Sequence, residues 1–213
     1  MKKKIMLCVL LMLMLMHMIT GCEQKVITVA DIQSEDGQET EYIEMKEFEL
    51  KSVKAEDAED SVQYCALLIP AGYKPSEEIE GMYVHERSPL DSSNIYYTVS
   101  PGDEDGKISE RLTREVYKET IEKAFSEEGW EIDLQIESFE EIDMEGVPGY
   151  KIRSTYAVED GQIEQLTYLI MAHDTYTITY SQMADDQLMA DFDISGDEIR
   201  LIRNEESSLA KIK

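Results

Sequence analysis

Basic residues, histidine, cysteine and tryptophan are all scarce in this chain. Its 213 residues carry 20 Lys and Arg against 46 Asp and Glu, a net charge of −26. A polyanion of that size is repelled by nucleic acid and by anionic lipid heads, so partners are expected to be basic, neutral or bridged by a divalent cation. Three histidines and three cysteines leave little for zinc, which takes about three or four protein ligands. No Walker loop, dinucleotide Gly fingerprint or Gly-x-Ser-x-Gly elbow occurs, and in so acidic a chain no carboxylate pair for glycoside hydrolysis can be singled out. The sequence therefore nominates no catalytic, cofactor-binding or metal residue, and the protein is expected not to be an enzyme. Long hydrophobic runs are equally rare. The one example, Ile5 to Ile19 broken by His17, is shorter than the roughly 20 residues a membrane-crossing helix needs.

What is present starts with that run. It follows Lys2, Lys3 and Lys4 and ends in Ile19-Thr20-Gly21-Cys22. This order of charge, apolar core, small residues and cysteine resembles a bacterial lipoprotein signal peptide. The resemblance implies that residues 1–21 are removed and that Cys22 is lipidated, with a diacylglyceryl group and acyl chains such as palmitate. Two or three chains hold a protein to a bilayer far more firmly than one, at about 0.8 kcal/mol per buried methylene. It further implies a place on the extracytoplasmic face of the cell membrane, in a Gram-positive cell. Residues 1–21 carry three lysines and no acid, so their loss takes the net charge from −26 to −29. Cys8 leaves with the signal, and Cys65, within an apolar segment, is left without a disulfide partner and reads as a buried hydrophobe.

From Glu23 onward the composition is polar and acidic, so 22–41 reads as a tether, 42–203 as a single domain and 204–213 as a flexible tail. Strands are expected at Tyr42 to Leu50, Ser61 to Ile69, Gly81 to Arg87 and Asn94 to Ser100. Ile108, Leu112, Val116, Tyr117, Ile121, Ala124 and Phe125 then recur at helical spacing. Ser109 is expected to cap this helix and Gly129 to stop it, with Trp130 folding back on Phe125. Alternation predicts strands at Trp130 to Ile136, Tyr150 to Val158, Gln162 to Ala172 and Thr175 to Ser181, with Asp160-Gly161 as a hairpin turn. A closing helix is expected from Asp185 to Ile202, with Gly196 as a possible break.

The order of an Ile69-Pro70-Ala71-Gly72-Tyr73 strand end, a hairpin, one long helix, a Gly146-Val147-Pro148-Gly149 turn, antiparallel strands and a terminal helix is similar to the Mog1/PsbP-like domain of small secreted lipoproteins. It spans about residues 60–203. The resemblance implies an α+β fold in which an antiparallel sheet is flanked by helices, an α/β/α sandwich. Its members mostly act as accessory or binding proteins, and no functional residue transfers with the fold.

Several local patterns have a plainer and a sharper reading. Asp103 to Ser109 matches the middle of a calcium loop, but the first and twelfth positions would be Pro101 and Leu112, which offer no side-chain oxygen, so an acidic turn is the better reading. Asp185, Asp186, Asp191, Asp193, Asp197 and Glu198 read as a solvated helix face. His85 and His173 read as surface residues. The tyrosines of the strands read as core rather than as groove lining. The expectation is a lipid-anchored, non-enzymatic binding or assembly module for an envelope protein; the alternatives are a small-ligand or divalent-cation sensor and an envelope hydrolase.

Overall fold

Alternation of apolar with hydroxyl and charged residues draws most of the chain into strands. The computed structural model describes residues 26–31, 41–53, 62–102, 112–159, 161–183 and 186–203. Among them the strands are β1 Val26–Asp31, β2 Glu41–Lys51, β3 Val62–Pro70, β4 Tyr73–Pro75, β5 Met82–His85, β6 Asn94–Pro101, β7 Gln135–Met144, β8 Val147–Val158, β9 Gly161–Met171, β10 Asp174–Gln182 and β11 Arg200–Arg203. Helix α1, Arg114–Glu127, lies between β6 and β7, and α2, Asp186–Asp197, between β10 and β11. The strands form a four-stranded sheet ordered β1-β2-β3-β11 and a seven-stranded sheet ordered β4-β5-β6-β10-β9-β8-β7, with every pairing antiparallel.

The main core lies between the two sheets. Tyr176, Ile178 and Tyr180 of β10 are buried against Leu50, Cys65, Leu67 and Ile69 of the smaller sheet. Phe48 of β2 bridges the layers, meeting Tyr83 at 5.4 Å and Tyr97 at 5.2 Å between ring centroids. A second core forms on the far side of β8 and β9, where Tyr117 of α1 packs with Leu134, Tyr150, Ile152 and Met171. Helix α2 extends the smaller layer. β11 pairs with Val62 to Ala66 of β3, and beyond that point Ser195 donates its hydroxyl to the Leu68 carbonyl. A side chain thus satisfies an edge carbonyl that no strand reaches.

This arrangement corrects the expected α/β/α sandwich. The fold is rich in strand, and the layer opposite α1 is a second sheet with α2 at its margin. Two stretches account for the difference. Arg200–Arg203 is a strand rather than the end of a helix. β1 occupies Val26–Asp31, inside the stretch read as a tether, and pairs along the first half of β2. Helix α1 is capped by Thr113, whose Oγ1 accepts from the Val116 amide at 3.2 Å; Ser109 lies outside the described residues. Residues 130–134 are not strand. The backbone of Leu134 is taken by α1 instead, with Glu122 accepting from the Leu134 amide at 2.9 Å and Lys118 Nζ donating to the Leu134 carbonyl at 2.6 Å. Trp130 does donate its amide to the Phe125 carbonyl at 2.9 Å, the backbone signature of a Schellman end. Its indole nevertheless stays largely in solvent, while Phe125 packs against Tyr156 with the rings tilted at 5.3 Å between centroids.

Candidate functional site

The β5–β6 loop, the end of β10 and the chain that follows it line an open pocket of about 300 Å³, with Arg87, Leu90, Asp91, Ser92, Ser93, Gln182, Met183 and Leu188 in its walls. Its polar wall is built into the fold. Ser93 is buried, donates to Asp91 Oδ1 at 2.6 Å and receives the Tyr73 hydroxyl at 2.8 Å. The Ser93 amide also donates to Asp91, at 3.0 Å, and Arg87 reaches Asp91 Oδ2 at 3.1 Å. Burial alone would raise the Asp91 carboxyl, but the Ser93 donors, the neighbouring His85 and the Arg87 hydrogen bond together hold it below its ordinary value. Gln182, also buried, donates to Glu164 Oε2 at 2.8 Å. The rim, by contrast, is apolar and exposed at Leu90 and Met183. Such a cavity can bind; its carboxylate is held ionised by several donors and is poorly suited to pick up a proton.

A second polar cluster closes the seam between α2 and the larger sheet. Lys151 Nζ lies 2.7 Å from Asp197 and 3.5 Å from Asp193. Arg153 pairs with Asp193 and lies 3.6 Å from Glu164, and the Tyr168 hydroxyl donates to Asp197 at 2.8 Å. Burial would raise Asp197, yet the hydrogen bonds from Lys151 and Tyr168 and the charges of Lys151 and Arg153 bring it below its ordinary value. Asp193 and Asp197, read as part of a solvated helix face, therefore hold the helix to β8 and β9. A third cluster joins the sheets at their other end, where Asp174, buried at the start of β10, accepts from Ser52 Oγ and, at 2.6 Å, from the Val53 amide. Burial pushes the nearby Tyr176 phenol up to about 12, with Cys65 and Asp174 adding to the rise and Ser52 opposing it. In the second cluster the charges of Lys151 and Arg153 are met by its own carboxylates.

The residues singled out in the sequence are dispersed. Cys22, the lipidation candidate, and the acidic turn Asp103 to Ser109 lie outside the described residues. Cys65 is fully buried, and burial pushes its thiol up to about 12, far from the thiolate a nucleophile needs. His85 is partly covered, stands edge-on to Tyr73 at 5.4 Å and lies 3.2 Å from Asp91, which places it beside the cavity rather than on open surface. His173 sits in the β9–β10 turn. Of the strand tyrosines read as core, Tyr150, Tyr168, Tyr176 and Tyr180 are buried and Tyr96 is exposed; Tyr73 and Tyr83 are buried as well. Among the described residues, no His, Cys, Asp and Glu group is placed to hold a metal ion and no helix is long and apolar enough to cross a membrane. Sequence reasoning missed the cavity because its walls come from two segments about 90 positions apart, which touch only because Asn94 pairs with Ser181.

No family profile and no curated protein sequence matches the chain. Solved structures do. The cyanobacterial PsbP protein CyanoP of Synechocystis superposes with a TM-score of 0.54 at 14% identity, over 73% of this chain and 92% of that one. The fold is PsbP-like. Two other structures with the same general outline are the Ran-binding protein Mog1p of Saccharomyces cerevisiae, with a TM-score of 0.46 at 8% identity over 76% of this chain and 98% of its own, and LpqN of Mycobacterium tuberculosis, described as involved in cell envelope biogenesis, with 0.44 at 12% over 74% and 91%. At these identities the likeness concerns the PsbP-like scaffold, and function has to be argued from the site.

Proposed function

We propose that this protein is an extracytoplasmic lipoprotein, held to the outer face of the cytoplasmic membrane through an acylated Cys22, that serves as a non-enzymatic binding or assembly module for an envelope protein. The observation that carries the reading is the cavity between the β5–β6 loop and the end of β10. It combines a pre-formed polar wall, Ser93 and Gln182, with an exposed apolar rim, Leu90 and Met183, a composition that supports recognition of a partner. The Lys151 and Arg153 cluster, by contrast, is taken up in holding α2 to the larger sheet. The membrane part of the proposal rests on Ile19-Thr20-Gly21-Cys22 behind a short basic-apolar leader.

Fractionation of cells making the full chain tests it. Native protein is expected in the membrane fraction and the Cys22→Ala variant in the medium or the soluble extracytoplasmic fraction. Equal membrane retention of both would defeat the anchoring claim. Recovery of a catalytic turnover on an envelope substrate that a single polar substitution abolishes would defeat the binding-module claim.

A further inference from the structure

Most exposed large apolar side chains of this acidic protein could be scattered without consequence, but four of them gather at one end of the seven-stranded sheet. Leu90 and Met183, 95% and 37% exposed, share the rim of the cavity. A Cβ on Gly161 would stand 3.1 Å from Met183 Cε, and Gly161 pairs with Val158, which is 40% exposed. Two residues before Val158, Tyr156 packs against Phe125 of α1; the same helix end presents Trp130, 68% exposed. The strand ends thus lay out an apolar row, Leu90, Met183, Val158, Trp130, running from the β5–β6 loop across β10, β9 and β8 to the end of α1. Adjacent strands are about 4.8 Å apart, so the row extends for roughly 15–20 Å. Exposed acids flank it: Glu86 beside the cavity, Glu159 after Val158, and Glu128 and Glu131 on either side of Trp130.

We infer that this end of the sheet is the docking surface for a protein partner whose contact patch has an apolar centre and a basic rim. The inference rests on the binding-module reading and names its surface. Exposed apolar side chains grouped at one end of a sheet and flanked mainly by acids, with Arg87 beside Asp91 as the one cation among the described residues of the cavity wall, mark association sites, with the apolar centre supplying affinity and the rim charges steering and orientation. The acidic flank decides between partners: an anionic bilayer would be repelled from this end, whereas a cationic protein surface is drawn to it.

Photo-crosslinking in intact cells tests the surface, with benzoylphenylalanine placed at Leu90 or Trp130 in the full chain and at the exposed Thr98 as a control on the open sheet face. The expected result is one discrete protein adduct from Leu90 and Trp130 and none from Thr98, identified by mass spectrometry as a protein with a basic surface patch. The adduct should fall about fivefold when Glu128, Glu131 and Glu159 are all changed to Gln, and should fall likewise at about 1 M salt, where the Debye length is about 3 Å. Circular dichroism melting of the triple variant establishes that the loss is not unfolding. Adducts that form from Thr98 but not from Leu90 would overturn the docking surface while leaving the binding module intact. Adducts to lipid alone, or a protein adduct insensitive to salt and to the triple change, would also overturn it. Release of the Cys22→Ala protein is read separately, so a failure of anchoring cannot be mistaken for a failure of docking.

Discussion

Asp174 carries an unusual burden for a single carboxylate. It is 1% exposed and receives both Ser52 Oγ and the Val53 amide, so it fixes the end of β2 to the start of β10 across the inter-sheet core. Asp174→Ala leaves both donors without their acceptor and is expected to cost about 1–3 kcal/mol, the penalty for stranding buried polar groups. Asp174→Asn keeps one carbonyl acceptor and should cost less, a ranking that urea denaturation midpoints will show directly. Gly196 answers a different demand. A Cβ there would lie 2.3 Å from the Tyr168 ring, and Tyr168 is itself buried and bonded to Asp197, so the ring has little room to give way. Gly196→Ala is expected to destabilise by about 1–3 kcal/mol through overpacking, although alanine is the better helix former. Trp130→Ala should change stability by less than about 0.5 kcal/mol, since the indole is in solvent and only its amide takes part in the helix end. A large drop in melting temperature would show instead that the ring is packed.

Elements were legible in the sequence where one periodicity ran unopposed. Ile178 flanked by Tyr176 and Tyr180, with threonines between, announced β10, whereas Gly161, expected at the centre of a hairpin turn, is the first residue of β9 and pairs with Val158, and Asp160 lies outside the described residues. The second sheet was not legible. Alternation says which face of a strand is buried but not which sheet the strand joins, and Ile199 to Arg203 is too short to distinguish two periods. Nor did the pattern reveal that Lys118 and Glu122 of α1 would take the backbone of Leu134 away from a ladder. The seam under α2 makes a prediction at this scale. Asp197 has a folded-state pKa below its unfolded value, so its contribution to stability is present above about pH 4 and is lost as pH falls through the depressed folded value. Lys151→Met removes the foremost donor. The variant should be less stable than the parent at neutral pH and should lose less on acidification, and chemical denaturation at pH 7 and pH 3 will test whether the two curves converge.

At the scale of the whole molecule, two stacked sheets provide the rigidity and their ends provide the opportunity for contact. Charge dominates everything at longer range, and encounter with a cationic partner should slow steeply as salt rises. The start of β1 adds a constraint of another kind. Val26 is already paired with Lys46 in the small sheet, and only Glu23, Gln24 and Lys25 separate it from Cys22. Four residue steps span at most about 14 Å. Once Cys22 carries its lipid, as we propose, the domain can swivel over the bilayer but cannot roam from it. Its search for a partner then becomes a two-dimensional one confined to a thin layer, in which a partner on the same membrane enjoys a high effective concentration and a freely diffusing one does not.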